Sequence, residues 1–171
     1  MSIFSFTNEE IKLSDFNVNY NLNLSKDVSE RVGWDYNCMG FAIGTYEWED
    51  LYSFESTDCE EDISVRTDIC YECAYELEML WQQDSRYPKM RIVQSEEELA
   101  DNEYLIAMRI AAEDFHFMRK MDDGRWFEKC GPNILRECTD TIYNDVWYSL
   151  MNINEYDSDI IFLAVMEDIV E

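Results

Sequence analysis

Apolar residues recur at helical spacing over one stretch of the chain and alternate at strand spacing over several others. From Asp68 to Gln83, Ile69, Cys70, Cys73, Ala74, Leu77, Leu80 and Trp81 fall on one stripe of a 3.6-residue helix, with Asp68 as its N-cap. After Pro88 the period changes to two. The stretches KMRIV (89–93), YLIAMRIAA (104–112), FHFMRK (115–120), RWFEK (125–129) and DIIFLAVM (159–166) are short and rich in branched and aromatic residues, which predicts strands. The tripeptide DDG at 122–124 predicts a hairpin turn between two of them. Thr139 to Met151, with Ile142, Val146, Trp147 and Leu150 on one side, reads as a further helix. Helices first and strands second predict an α+β fold, with helices on one face of an antiparallel sheet, and not alternating βαβ units.

Composition limits the organisation. The chain has 171 residues, 47% of them hydrophobic, enough for one core, and two prolines with five glycines leave no linker composition. The expectation is a single domain over 1–171. The opening MSIFSFTNEEIKL has neither a basic nor an apolar export region, and the longest apolar run, Ile160 to Met166, is far short of the roughly 20 residues that span a bilayer. This predicts a cytoplasmic protein without membrane contact, whose six cysteines remain reduced thiols. Cys70 and Cys73 form a tempting CYEC motif, but both lie on the apolar stripe, and the gap between Cys130 and Cys138 exceeds zinc-ligand spacing. No metal and no cofactor are expected.

Charge changes the picture more. Thirteen basic residues against 38 acidic ones give a net charge of −25, which excludes direct binding to nucleic acid or anionic lipid. The acid is concentrated between Arg31 and Arg66, where no basic residue occurs. Glu47, Glu49, Asp50, Glu55, Asp58, Glu60, Glu61 and Asp62 stand there as a candidate surface for a basic partner.

Two short stretches carry candidate chemistry. In YNCMGFAIG (36–44), Asn37 is a good N-cap, so Cys38 falls at the first turn of a helix, where unpaired backbone N–H groups and the helix dipole favour a thiolate. Gly40 permits close approach of another segment, and Gly44 ends the turn. The only histidine, His116, alternates with Phe115 and Phe117 on a strand, so it faces away from both. With a three-residue loop and Gly124 in the left-handed region, Met121 opposes Arg125 and Met118 opposes Glu128. Glu128 then shares the His116 face and lies diagonal to it. A loop of two or four residues would put Lys129 there instead.

These residues resemble the papain-like cysteine peptidases and amidases of the NlpC kind. The family's nucleophile motif is similar to NCMGF at 37–41, with Cys38, Gly40 and Phe41 in step. Its histidine strand in short members is similar to DFHFMRKMDDGRWFEKCG at 114–131, with a glycine turn, a tryptophan and a lysine-bearing close. The resemblance spans 34–44 and 104–131. It implies a papain-like (NlpC-type) fold, with cysteine-bearing N-terminal helices packed on a C-terminal sheet that carries the histidine. The family commonly has a second histidine where this chain has Glu128.

Two functional expectations follow. In the first, the chain is a cysteine hydrolase of a peptide, isopeptide or amide bond in a protein or peptide substrate. Cys38 is the nucleophile, His116 the general base, Glu128 the group that orients His116, and the Cys38 N–H part of an oxyanion hole. In the second, the acidic surface mimics nucleic acid and occupies a basic, nucleic-acid-binding partner, as a phage or mobile-element inhibitor of a nuclease or CRISPR effector would.

Overall fold

The structure, a computed structural model, describes residues 10–55, 62–138, 142–148 and 155–167. Helices come first: α1 (Leu13–Tyr20), α2 (Lys26–Ser29), α3 (Cys38–Ile43), α4 (Tyr52–Glu55) and α5 (Ile63–Gln83). Eight strands follow: β1 (Met90–Val93), β2 (Glu103–Ile110), β3 (Phe115–Lys120), β4 (Trp126–Lys129), β5 (Leu135–Cys138), β6 (Trp147–Tyr148), β7 (Glu155–Tyr156) and β8 (Ile161–Met166). Six of them form one antiparallel sheet in the order β1-β8-β2-β3-β4-β5, and β6 pairs with β7. The fold is α+β, with N-terminal helices and a C-terminal antiparallel sheet, as the periodicities predict.

Strand alternation divides the core between the two faces of the sheet. Ile106, Met108 and Ile110 of β2, Phe115 and Phe117 of β3, and Ile161, Leu163 and Val165 of β8 pack against α3 and α5. The residues between them, among them Leu105, Ala107, Met118 and Ala164, face the other way and meet Trp126, Cys138, Ile142, Trp147 and Tyr156. A third cluster joins Leu13 and Phe16 of α1 to Phe41, Phe127 and Leu135. The segment ahead of α1 is tied to β5 by a hydrogen bond from Ile11 N to the Leu135 carbonyl at 2.7 Å.

Three expectations need correction. α5 starts at Ile63, not after Asp68, because Asp62 is the N-cap and accepts from Val65 N at 3.2 Å. Its first turns are anchored by Arg66, which pairs with both carboxylate oxygens of Asp157 at 2.7 Å, a partner far along the chain. β5 is a strand that the hydrophobic pattern did not announce. Finally, 142–148 is a turn leading into β6, not a helix. The carbonyls a helix would use there are taken elsewhere: Arg109 donates to Asn144 O at 2.6 Å and to Asp145 O, and Trp147 Nε1 donates to Ile142 O at 2.9 Å. The rest of that expected helix lies outside the described residues. No helix among the described residues is long and apolar enough to cross a membrane.

Candidate active site

The first turn of α3 is held from one side by a neighbouring segment. Asn37 caps it, accepting from Gly40 N at 3.0 Å, and the same amide grips Glu49 through its N–H at 3.2 Å and its carbonyl at 2.7 Å. Residues 47–49 therefore lie directly against the turn. A Cβ on Gly40 would stand 1.8 Å from the Glu47 carbonyl oxygen, so this packing requires glycine. Cys38, at the first helical position, is buried, only 5% exposed. By helix geometry the N–H groups of this turn lack intrahelical acceptors.

On the sheet, the hairpin from β3 to β4 has the register of a three-residue loop. Arg119 pairs with Phe127 and Lys120 with Trp126, Met121 N donates to Arg125 O at 2.9 Å, and Gly124 closes the loop at φ +89°. Glu128 is thereby diagonal to His116 on one face, and His116 Nε2 meets Glu128 Oε1 at 2.6 Å. The β3–β4 ladder is confined to the two pairs beside the turn, and farther along α3 packs against both strands. There the Cys38 thiol donates to the Phe115 carbonyl at 3.9 Å, beside the backbone of His116.

The electrostatics tie these groups together. Burial disfavours a charged His116 ring, but the bond to Glu128 and the charges around the ring, that of Glu128 among them, outweigh it and hold the pKa up at about 10. Burial would likewise raise Glu128, but its bond to His116, the charges of His116 and Arg136 and the bond from Cys138 bring it down to about 2. At neutral pH the imidazole is protonated and the carboxylate ionised. Cys38 belongs to the cluster on the α3 face with Phe115 and Phe117, whereas the His116 ring lies among Glu128, Tyr156 and Trp147.

Arg136 and Cys138 are parts of the site that the sequence reading missed, because it missed β5. Arg136 Nε donates to Glu128 Oε2 at 3.1 Å, and Cys138 Sγ donates to the same oxygen at 2.9 Å. The pairing of Glu128 with Arg136 puts Arg136 and Cys138 on the face of Glu128, and Glu137 faces the other way to meet Arg125. Around His116 the rings of Tyr156 and Trp147 stand at 5.3 and 6.2 Å between centroids, and Tyr156 OH donates to Asp114 at 2.8 Å.

Lys129 points to the other side of the sheet. Its ammonium is buried and donates to the carbonyls of Gly33 at 2.7 Å, Tyr36 at 3.0 Å and Gly131 at 2.7 Å. One side chain thus fastens the segment ahead of Cys38 to the end of the strand that carries Glu128. Burial pulls the ammonium down to about 8.

The acidic surface is less continuous than its sequence. Glu49 is buried, accepting from Thr45 Oγ1 at 2.7 Å and Tyr87 OH at 2.9 Å, so it is not available to a partner. Glu47 pairs with Arg86, and Asp62 caps α5; Asp50 is exposed. The side chain of Glu55 and residues Asp58, Glu60 and Glu61 lie outside the described residues. Among the described residues no cluster of His, Cys, Asp or Glu is arranged to hold a metal ion. The described cysteines, including Cys70 and Cys73 in the core, form no disulfide with one another. Comparison with models of protein families, with curated proteins and with solved structures finds no match to this chain.

Proposed function

We propose that the protein is a papain-like cysteine hydrolase of a peptide, isopeptide or amide bond, with Cys38, His116 and Glu128 as its catalytic groups. The observation that carries this reading is geometric: the His116 imidazole is buried and bonded to Glu128 at 2.6 Å, and the Cys38 thiol meets the carbonyl of the neighbouring Phe115 at 3.9 Å. Cys38 attacks the substrate carbonyl as the thiolate, and the Cys38 N–H, in a first turn whose Gly40 N–H is already taken by Asn37, receives the developing oxyanion. His116 gives its proton to the departing amine, leaving a thioester on Cys38. Neutral His116 then takes a proton from water, whose oxygen attacks the thioester carbon, the C–S bond breaks, and Cys38 leaves as the thiolate with release of the acid. The general-base role expected of His116 thus belongs to the second half of the cycle, and the first half uses it as an acid. Incubation with a mixed peptide library, with cleavage products read by mass spectrometry, tests the reading. Products formed by the native protein and absent with Cys38→Ala support it; identical patterns contradict it.

The net charge of −25 favours a second reading, in which the same scaffold occupies a basic, nucleic-acid-binding partner. With Glu49 internal and Glu47 paired, that role falls to Asp50, to Asp62 and to the acids at 55–61.

A further inference from the structure

Trp34 and Trp48 lie on the two segments that flank Cys38. Trp34 is 73% exposed and Trp48 38%, and their rings stack with centroids 5.0 Å apart and planes at 26°. Two indoles kept in water form an apolar platform that burial would otherwise remove, and such platforms mark binding surfaces. Neither sits on a loose strand of chain. Lys129 holds the carbonyls of Gly33 and Tyr36 on either side of Trp34, and Asn37 holds Glu49 next to Trp48. The platform is built onto the turn that begins at Cys38.

The surroundings of the platform select charge. Trp48 borders a shallow depression shared with Arg31, Asp35, Glu47 and Arg86. Arg31 donates to the Tyr46 carbonyl, and the half-exposed Arg86 is paired with Glu47 and Glu49, which offset its charge. Asp35 accepts from Val32 N at 3.0 Å with one oxygen and stays exposed, and Asp50 is exposed two residues beyond Trp48. Indole faces are electron-rich, so indoles with carboxylates beside them attract a cation, and a chain of net charge −25 repels an anion.

We propose that Trp34 and Trp48 form a subsite for an arginine or lysine side chain of the peptide on which the site acts. The word substrate rests on the hydrolase reading; the cation rests on the platform itself. A guanidinium layered on an indole and facing Asp35 would fix a peptide across the first turn of α3.

Calorimetric titration of Cys38→Ala protein with tetra-arginine amide, at about 0.15 M salt to screen distant charges, tests this. The same titration is run with the uncharged tetra-citrulline amide and with chitotetraose. The expected result is saturable binding of tetra-arginine alone, weakened about tenfold or more by Trp34→Ala and by Trp48→Ala. Trp34 is exposed, so its removal leaves the fold intact, which circular dichroism checks. Equal binding by the tryptophan variants would mean that net charge alone attracts the peptide and would overturn the proposal. So would no binding, or tighter binding of the sugar. Because the titration uses protein without the nucleophile, its outcome is independent of whether Cys38 proves reactive.

Discussion

At the scale of single residues, His116 and its neighbours set how stability follows pH. His116 rises from 6.5 to about 10 on folding, so its stabilisation is complete below about pH 6.5 and is lost as pH climbs through 10. Glu128 falls from 4.5 to about 2, so its contribution is present above 4.5 and is lost toward pH 2. Lys129 opposes His116. Its fall from 10.5 to about 8 makes the folded state release a proton first, so stability recovers between those values. The two cations together predict a loss of about 2 kcal/mol between pH 6.5 and 8, then a nearly level profile to about 9, above which the raised thiols of Cys130 and Cys138 bring further loss. Urea denaturation at half-unit pH steps measures this. His116→Gln should abolish the fall between 6.5 and 8, whatever its effect on absolute stability. An unchanged slope in that variant would mean that other groups carry the dependence.

At the scale of elements, the first turn of α3 is the part least able to change. The Cβ of Gly40→Ala would meet the Glu47 carbonyl oxygen at 1.8 Å, and backbone cannot swing aside as a side-chain end can. Overpacking of this kind costs about 1–3 kcal/mol, and a loss near or above the upper end is expected by chemical denaturation. Gly124→Ala, with nothing within 4 Å of the new Cβ but φ at +89°, should cost about 1 kcal/mol. This turn and the β3–β4 hairpin were legible because local rules fix them: an asparagine cap, a glycine at a close approach, a DDG loop whose length sets the Glu128 face. What was not legible depends on distant partners. The segment at 142–148 has a helical stripe, yet Arg109 on β2 takes its carbonyls. Asp68 reads as the cap of α5 from its place before the apolar stripe, and the turn ahead of it, held by Asp62 and by the Arg66–Asp157 pair, depends on a partner far along the chain. Arg136 and Cys138 could not be placed without β5, whose four residues include two charges. Glu49 looked like its acidic neighbours because nothing local shows that Asn37, Thr45 and Tyr87 enclose it.

At the scale of the whole molecule, charge −25 gives the binding reading its own test. Co-purification of a basic protein from the native host at low salt, and its loss near 0.5 M salt where screening is nearly complete at contact distance, is the expected behaviour of an acidic mimic. Charge reversal at Glu60, Glu61 and Asp62 should weaken that capture, and Cys38→Ala should not. Exposed pairs contribute about 0.2–1 kcal/mol each, so the three positions must be changed together. Retention of the partner at high salt, or no partner at low salt, would remove support from this reading and leave the acids as a solvated surface. The hydrolase reading predicts the opposite dependence on Cys38.

The central claim is that Cys38 is activated by His116, and competition among thiols tests it most directly. Cys130 is more exposed than Cys38, but burial pushes its thiol up, as burial and Glu128 do for Cys138. If access alone governed reactivity, Cys130 would react before Cys38; if the imidazolium governs it, Cys38 reacts first. Limited alkylation of the native protein with iodoacetamide at pH 7, followed by peptide mapping, is the measurement. The account predicts one dominant adduct on Cys38, and its disappearance in His116→Ala with the other thiols unchanged. An adduct on Cys130, Cys59 or Cys138 with Cys38 protected, or equal labelling of Cys38 without His116, would contradict it.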